Sequence, residues 1–221
     1  MKTKDFVVFW DWNGTLVDDA FVFVRILNVL LQKNSLPKIS LGFYKENFCF
    51  PVVDFYKKLG LYKNASFFSS LNKDFVLLYE QQKHVPKLKK NIVNLIKTLN
   101  KMKIKQCVVS AQKNKTLTEL VSFYGLTSSF IEVVGVDNDF ASGKKSLAKN
   151  LKNKLGSSCE ILIVGDTFLD FEVSNYIGAR CVLVDWGHYS FKRLSVCGVP
   201  VFSCVEDLWG FLVTTPELTN L

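Results

Sequence analysis

The pattern of apolar and polar positions divides the chain into three parts. Residues 6–10 form an uninterrupted apolar run that ends at a polar turn, which predicts a strand buried on both faces. From about residue 19 to residue 83, apolar positions recur at helical spacing, as at Val24, Leu27 and Leu31, which predicts a set of helices. The rest of the chain alternates between helical and strand-like segments.

This alternation predicts the fold class. The predicted helices cover residues 87–102, 114–124, 144–155 and about 169–177, and the predicted strands cover residues 104–109, 131–134, 161–164 and 181–184. Strands separated by helices are typical of a parallel sheet with right-handed crossovers. We therefore predict an α/β fold with a doubly wound parallel sheet, formed by residues 1–17 and 85–221. Residues 18–84 are predicted to form a smaller inserted helical domain.

Composition narrows the class of protein. The 221 residues are 48% hydrophobic and carry a net charge of +8, which comes mostly from scattered lysines. Scattered lysine is typical of a solvated surface, so we expect no nucleic-acid partner. The six cysteines include no CxxC pair and are interpreted as buried thiols of a reducing compartment. The first apolar run is too short for a signal peptide or a membrane span, which favours a cytoplasmic protein without a membrane partner. Composition leaves the oligomeric state open.

Polar residues follow the predicted strands at the positions where an open parallel sheet places its site. Asp11 follows the first strand, Ser110 the second, and Asp166 a later one, with Asp170 four residues on. Converging carboxylates repel each other unless a hard cation neutralises them, and oxygen ligands suit Mg²⁺. A hydroxyl and Lys144, which begins a predicted helix, would hold phosphoryl oxygens. These groups are those that an aspartyl-phosphate mechanism requires.

At these residues the chain resembles the haloacid dehalogenase superfamily of phosphohydrolases. The resemblance rests on DWNGTLVDD at 11–19, VVSA at 108–111, SGKK at 142–145 and VGDTFLD at 164–170, which occur in the order of that family and cover nearly the whole chain. It implies a Rossmann-like core, with the 18–84 segment as a helical cap that closes over a small phosphorylated substrate. With DWGH at 185–188, the first motif looks most like the phosphoglycolate-phosphatase-like subgroup.

The resemblance also implies roles for individual residues. Asp11 would be the nucleophile, and Mg²⁺ would be bound by Asp11, the backbone carbonyl of Asn13 and Asp166. Asp170 would orient the metal-bound waters.

The phosphoryl group would be bound by Ser110 with Ala111, and at the first motif by Trp12 and Asn13. Lys144 would offset its charge. Spacing favours Lys144 over Lys145, which is predicted to face solvent.

Asn13 is a departure from the pattern of the family, which usually has a second Asp there that acts as general acid and base. Three alternatives follow: a slow enzyme, an enzyme for substrates with good leaving groups such as acyl or enol phosphates, or a phosphate-binding protein without turnover. Because Asn-Gly deamidates readily, an Asp could also form at position 13. A phosphonate hydrolase, which would need a Schiff-base lysine from the cap, is a further alternative.

Histidines and aromatic residues near these segments have less defined roles. His188 follows the last predicted strand and is a candidate for substrate contact. His84 lies where the cap would rejoin the core. The aromatic residues of the cap are interpreted as its hydrophobic core; they are Phe43, Tyr44, Phe48, Phe50 and Phe55.

Overall fold

The central feature of the fold is a six-stranded parallel sheet, seen in a computed structural model that describes residues 6–138, 140–156 and 159–214. The described residues form eight strands, of which β2 and β3 make a separate two-stranded sheet. They are β1 (Phe6–Trp10), β2 (Val17–Asp18), β3 (Lys87–Leu88), β4 (Lys105–Lys113), β5 (Glu132–Val136), β6 (Glu160–Gly165), β7 (Arg180–Val184) and β8 (Val201–Phe202). The order in the main sheet is β5-β4-β1-β6-β7-β8, and every neighbouring pair is parallel. The predicted α/β class is therefore confirmed.

The described residues form ten α-helices, five of which cover the two faces of this sheet. They are α1 (Ala20–Lys33), α2 (Leu41–Asn47), α3 (Val52–Lys58), α4 (Ala65–Gln82), α5 (Ile92–Lys101), α6 (Asn114–Phe123), α7 (Lys144–Leu155), α8 (Phe168–Ile177), α9 (Phe191–Leu194) and α10 (Val205–Thr214). On β1, Phe6, Val8 and Trp10 share a core with α5, α6 and α10, whereas Val7 and Phe9 share one with α7 and α8. A strand with two buried faces has no polar side, which is why its sequence is a continuous apolar run.

The 18–84 segment contains the four helices α1 to α4. Its apolar side chains, among them Leu27, Leu30 and Tyr44, form one cluster with Leu183 and Leu194 from the region around β7. The chain leaves and re-enters the sheet side by side, because β2 pairs antiparallel with β3. The segment is thus anchored at both of its ends and along one side.

Some element boundaries differ from the sequence-based ones. The helix predicted from residue 87 begins at Ile92, since Lys87–Leu88 is the strand that pairs with β2. The strand predicted for 104–109 extends to Lys113 and contains Ser110. The alternation also continues beyond residue 184, with β8 and α10.

All six cysteines are free, and Cys107, Cys159 and Cys181 are buried. Burial raises the pKa of both Cys107 and Cys181 to about 12, so these two are packing residues rather than reactive thiols.

Among the described residues, none of the helices combines the length and apolar character that a membrane span requires.

Candidate active site

Three buried carboxylates meet at the carboxyl end of the central strands. Asp11 follows β1 and donates its backbone N–H to the Val164 carbonyl of β6 at 2.9 Å. Asp166 follows β6, and Asp170 lies in the first turn of α8. One oxygen from each of the three lies within 4.8 Å of the others. Distant segments thus form one acidic cluster because neighbouring parallel strands end at the same edge.

The first turn of α8 fixes the orientation of Asp170. The backbone N–H and the hydroxyl of Thr167 both donate to Asp170 Oδ2, at 3.0 and 2.8 Å. The backbone N–H of Asp166 donates to the same oxygen at 3.2 Å. A carboxylate in the first turn also interacts favourably with the helix dipole. Asp170 therefore presents Oδ1 to the rest of the site.

Lys144, the first residue of α7, lies between two of these carboxylates. Its Nζ is 2.5 Å from Asp11 Oδ1 and 2.5 Å from Asp170 Oδ1, and the side chain is 4% exposed. Lys145 is exposed and pairs with Glu172 at 2.8 Å. The preference for Lys144 over Lys145 agrees with this geometry.

The charges of the cluster fit a divalent cation. Three carboxylates against one ammonium leave a formal excess of two negative charges. Burial raises the pKa of Asp11 to about 8, against the opposing effect of Lys144. Burial likewise raises the pKa of Asp166 to about 6, against the opposing effect of His188. Burial lowers the pKa of Lys144, but Asp11 and Asp170 outweigh it and raise the value above normal. A hard cation would offset this desolvation and keep Asp11 and Asp166 ionised.

Asp166 is held in a pocket made by two glycines. A Cβ on Gly14, which has φ +75°, or on Gly187 would collide with the Asp166 carboxyl group. Thr15 donates its hydroxyl to Asp166 Oδ1 at 3.1 Å, and the His188 backbone N–H donates to Oδ2 at 2.6 Å. Gly14 of the first motif and the Gly187–His188 pair therefore position the carboxylate of Asp166, which comes from a third segment of the chain.

The segments that form this site lie within a stretch of the chain that matches the model of a known family. The family model described as haloacid dehalogenase-like hydrolase matches residues 8–184, and this range contains all three carboxylates and Lys144. The chain belongs to the haloacid dehalogenase-like hydrolase family. A comparison with curated protein sequences gives no match.

Solved structures share the haloacid dehalogenase fold over nearly the whole chain. A predicted phosphatase from Clostridium acetobutylicum superposes with a TM-score of 0.77 at 16% identity, covering 97% of this chain and 100% of the other. A predicted phosphoglycolate phosphatase from Haemophilus somnus 129PT gives 0.74 at 18% identity, with coverage of 96% and 99%. Protein Tyrosine Kinase A from Mycobacterium tuberculosis gives 0.78 at 18% identity, also with coverage of 96% and 99%. At such low identity the likeness establishes the fold alone.

Most other residues predicted for this site line one pocket with the carboxylates. Asn13, Ser110 and Ala111 line it together with Asp11 and Lys144.

Trp12 is an exception, because its side chain is fully buried in the core below the sheet edge, where its ring centroid is 5.9 Å from that of Tyr124. A contact of Trp12 with phosphate would have to come from its backbone.

Asn13 is fixed by groups that the sequence did not single out. Its Nδ2 donates to Asp19 Oδ2 at 2.5 Å and to the Tyr79 hydroxyl at 3.1 Å. Asp19, which is fully buried, also accepts the backbone N–H of Gly14 at 2.9 Å. Asp19 belongs to the first motif and could have been flagged as a second carboxylate near Asn13, whereas nothing along the chain connects Tyr79 to it.

His188 lies at the pocket and is buried. Its Nδ1 is 2.8 Å from the Tyr44 hydroxyl, and its Nε2 is 3.3 Å from Asp19 Oδ1. Burial lowers the pKa of His188, but the ion pair with Asp19 outweighs it and raises the value. His188 lies in the pocket wall, and its contact with a substrate stays a prediction. His84 is far less buried, and its Nε2 is 3.2 Å from Glu119 Oε1.

The aromatic residues of the 18–84 segment divide into two groups. Tyr44, Phe48 and Phe55 are buried in its core as predicted, yet they and Phe50 also line the pocket. Phe43 is 43% exposed and lies in neither place. The interpretation as hydrophobic core is therefore confirmed for Tyr44, Phe48 and Phe55, and it is wrong for Phe43.

The pocket also bears on the phosphonate alternative. Among the described residues, the lysines that line it are Lys113 and Lys144, and both lie outside the 18–84 segment. A Schiff-base lysine supplied by that segment finds no candidate in this pocket wall.

Proposed function

We propose that the protein is a magnesium-dependent phosphohydrolase that acts on a small phosphate monoester through a phosphoryl-aspartate at Asp11. The observation that carries this proposal is the meeting of three buried carboxylates with Lys144 at the end of β1. Phosphatase names among the structural neighbours are consistent with it.

The ion would be held by Asp11 and Asp166, by the backbone carbonyl of Asn13, and through water by Asp170. When bound, it would neutralise the carboxylates and polarise the phosphoryl oxygens for displacement. The hydroxyl of Ser110 would donate a hydrogen bond to the phosphoryl group, and Lys144 would offset its charge. Residues 18–84 would act as a cap that excludes water during transfer.

A second candidate function follows from Asn13. Its amide is already engaged by Asp19 and Tyr79, and an amide does not transfer protons at neutral pH. Loss of general acid-base help costs roughly 10²- to 10⁴-fold in rate. A protein with this site would bind phosphate and turn over slowly, as a regulatory or sensing protein would.

One experiment separates the two functions. The purified protein with Mg²⁺ is incubated with a panel of phosphate monoesters, and release of inorganic phosphate is measured over minutes and hours. The phosphatase proposal expects multiple turnovers with at least one ester. Tight binding of a phosphate analogue in calorimetry, with no product after hours, would select the binding function instead.

The two adjacent lysines offer a matched pair of variants. We expect Lys144→Met to lower kcat/KM by roughly 10²- to 10³-fold, because it removes a preorganised charge at the transferring phosphoryl group. Lys145→Met should change it less than about 2-fold, since an exposed ion pair contributes little. Phosphate release with both variants checks this, with circular dichroism as the folding control. Equal losses in both variants would remove Lys144 from the site.

Magnesium dependence gives a further expected result. Chelation with EDTA should abolish phosphate release, and re-addition of Mg²⁺ should restore it. At about 100 times Kd, the ion should stabilise the fold by about 2.7 kcal/mol and raise Tm by roughly 5 to 10 °C. Asp166→Asn should lose this Tm shift, whereas Asp54→Asn, an exposed control position, should retain it. An unchanged shift in Asp166→Asn would place the ion elsewhere.

A further inference from the structure

Beyond the carboxylates, the pocket is walled by aromatic rings. Nine Phe and Tyr side chains of the described chain line it, most of them from the 18–84 segment. The rings also pack on one another: Phe48 lies 5.2 Å from Phe50 and 5.4 Å from Phe55, and Phe23 lies 5.3 Å from Phe75, centroid to centroid. Rings that support each other in this way form a preorganised apolar surface for a ligand.

The size of the cavity limits the organic group of the ligand. The volume of the whole pocket is about 150 Å³, and this includes the space beside Asp11 and Lys144 where the phosphate would lie. Because an apolar cavity of roughly that volume accepts benzene alone, the organic group can be no larger than one small ring. A larger group would have to displace the helices of the 18–84 segment.

The charges of the wall disfavour a second anionic group on the substrate. Among the described residues that line the pocket, Lys144 is paired with Asp11 and Asp170, His188 with Asp19, and Glu80 with Lys83 at 2.6 Å. Lys113 is exposed. A ligand with a carboxylate beyond its phosphate would therefore place it among rings and beside cations that already have anionic partners, at a high desolvation cost.

Asn13 adds an independent restriction on the leaving group. An aliphatic alkoxide is close to hydroxide in basicity, with the parent water at a pKa of about 15.7, and needs a proton as it leaves. A phenolate, whose conjugate acid has a pKa of about 10, leaves without one. A site that presents an amide in place of an acid is thus suited to phenolic leaving groups.

On the basis of the proposed phosphatase function, we propose that the substrates are phosphate monoesters of small phenols, whose ring occupies the aromatic end of this pocket. A carboxylate oxygen of Asp11 attacks phosphorus, the bond between phosphorus and the phenolic oxygen breaks, and its electron pair leaves on the phenolate, which takes a proton from solvent. Water then attacks the phosphoryl-aspartate at phosphorus. Inorganic phosphate is released, one proton goes to solvent, and the Asp11 carboxylate is regenerated.

The test compares four esters that separate ring recognition from leaving-group chemistry. Phenyl phosphate has an aromatic ring and a phenolate leaving group, and benzyl phosphate has the aromatic ring but an alkoxide leaving group. Cyclohexyl phosphate has neither an aromatic ring nor a phenolate leaving group, and phosphoglycolate carries a second anion. We expect kcat/KM for phenyl phosphate to exceed that for cyclohexyl phosphate by about 100-fold or more. Benzyl phosphate should share the low KM of phenyl phosphate and the low kcat of cyclohexyl phosphate.

A matched pair of variants on α4 tests the role of the wall. Phe75 lines the pocket, whereas Phe67, on the same helix and equally half-buried, does not. Phe75→Leu should raise KM for phenyl phosphate about 3- to 10-fold and reduce the advantage of phenyl phosphate over cyclohexyl phosphate in kcat/KM. Phe67→Leu should change neither value.

The outcomes distinguish this inference from the proposed function on which it rests. If phosphoglycolate or cyclohexyl phosphate is hydrolysed as efficiently as phenyl phosphate, the phenolic assignment is wrong and the phosphatase stands. If no ester is hydrolysed, the phosphatase proposal fails, and calorimetry still tests the ring site with phenylphosphonate against methylphosphonate. Tighter binding of phenylphosphonate would support the ring site, and equal binding would overturn it.

Discussion

Replacing Asp11 with Asn should abolish phosphate release while leaving the protein folded. The proposed nucleophile is lost and the side chain keeps its shape, so we expect kcat to fall by roughly 10⁴-fold or more. Lys144 would retain its partner Asp170 at 2.5 Å, which limits the structural consequence. The measurement is phosphate release from the best ester of the panel, under single-turnover and steady-state conditions.

The same variant should be more stable than the parent protein when metal is removed. Burial raises the pKa of Asp11 from 3.8 to about 8, so between these values the folded protein holds a proton that the unfolded chain releases. Stability that depends on this proton is complete below pH 3.8 and decreases as pH rises towards about 8. Because the amide introduced at position 11 does not titrate, the Tm of the variant in EDTA should exceed that of the parent by more at pH 8 than at pH 5.

Asp18→Asn is the matched control for this experiment, since it makes the same chemical change at an exposed position seven residues along the same motif. It should retain phosphate release and show no pH-dependent gain in Tm. Full activity in Asp11→Asn would contradict the proposed mechanism directly. Loss of activity together with loss of the native circular dichroism spectrum would instead assign Asp11 a structural role.

The limits of β1, which is buried on both faces, and of α7, which is buried on one face, could be predicted from sequence. Residues 6–10 and 144–155 were predicted with the boundaries that β1 and α7 have in the structure. The apolar run of β1 stops where the chain leaves the sheet, and α7 begins after Gly143, which has a φ of +101° that residues other than glycine rarely adopt. In these elements the local pattern and the tertiary environment favour the same boundary.

The acidic cluster could be predicted for a topological reason. Parallel strands that are neighbours in a sheet end at the same edge, so Asp11 and Asp166 were expected to meet although 155 positions separate them. Lys144 was placed correctly because it begins the helix that precedes β6. None of these inferences needed the orientation of a side chain.

Features that depend on pairing or orientation could not be predicted in the same way. Residues 87–88 read as the start of a helix because their pairing with β2 is a contact between distant segments. Tyr79 and Asp19 meet at Asn13 only because α4 crosses above the first motif. The aromatic residues of 18–84 satisfy a helical core pattern whether or not a ring also faces the cavity, so periodicity does not separate the two roles.

Introducing an acid at position 13 should increase the rate with alkyl phosphates. Asn13→Asp alone would place a carboxylate against buried Asp19, since Asn13 Nδ2 lies 2.5 Å from Asp19 Oδ2. Two carboxylates in one buried site repel each other, so the single variant should lose stability. The double variant Asn13→Asp with Asp19→Asn exchanges the two groups and keeps one carboxylate and one amide in contact.

We expect the double variant to raise kcat for cyclohexyl phosphate by roughly 10²- to 10⁴-fold, because it restores general acid-base help to a poor leaving group. The gain with phenyl phosphate should be much smaller, since a phenolate leaves without a proton. Asp19→Asn alone should give no gain, and intact mass should show that Asn13 is unmodified in the parent protein. Equal gains with both esters would indicate that the acid acts on water attack rather than on the leaving group. No gain with either ester would mean that the amide at position 13 does not limit the rate, and the weak-turnover explanation for this site would have to be abandoned.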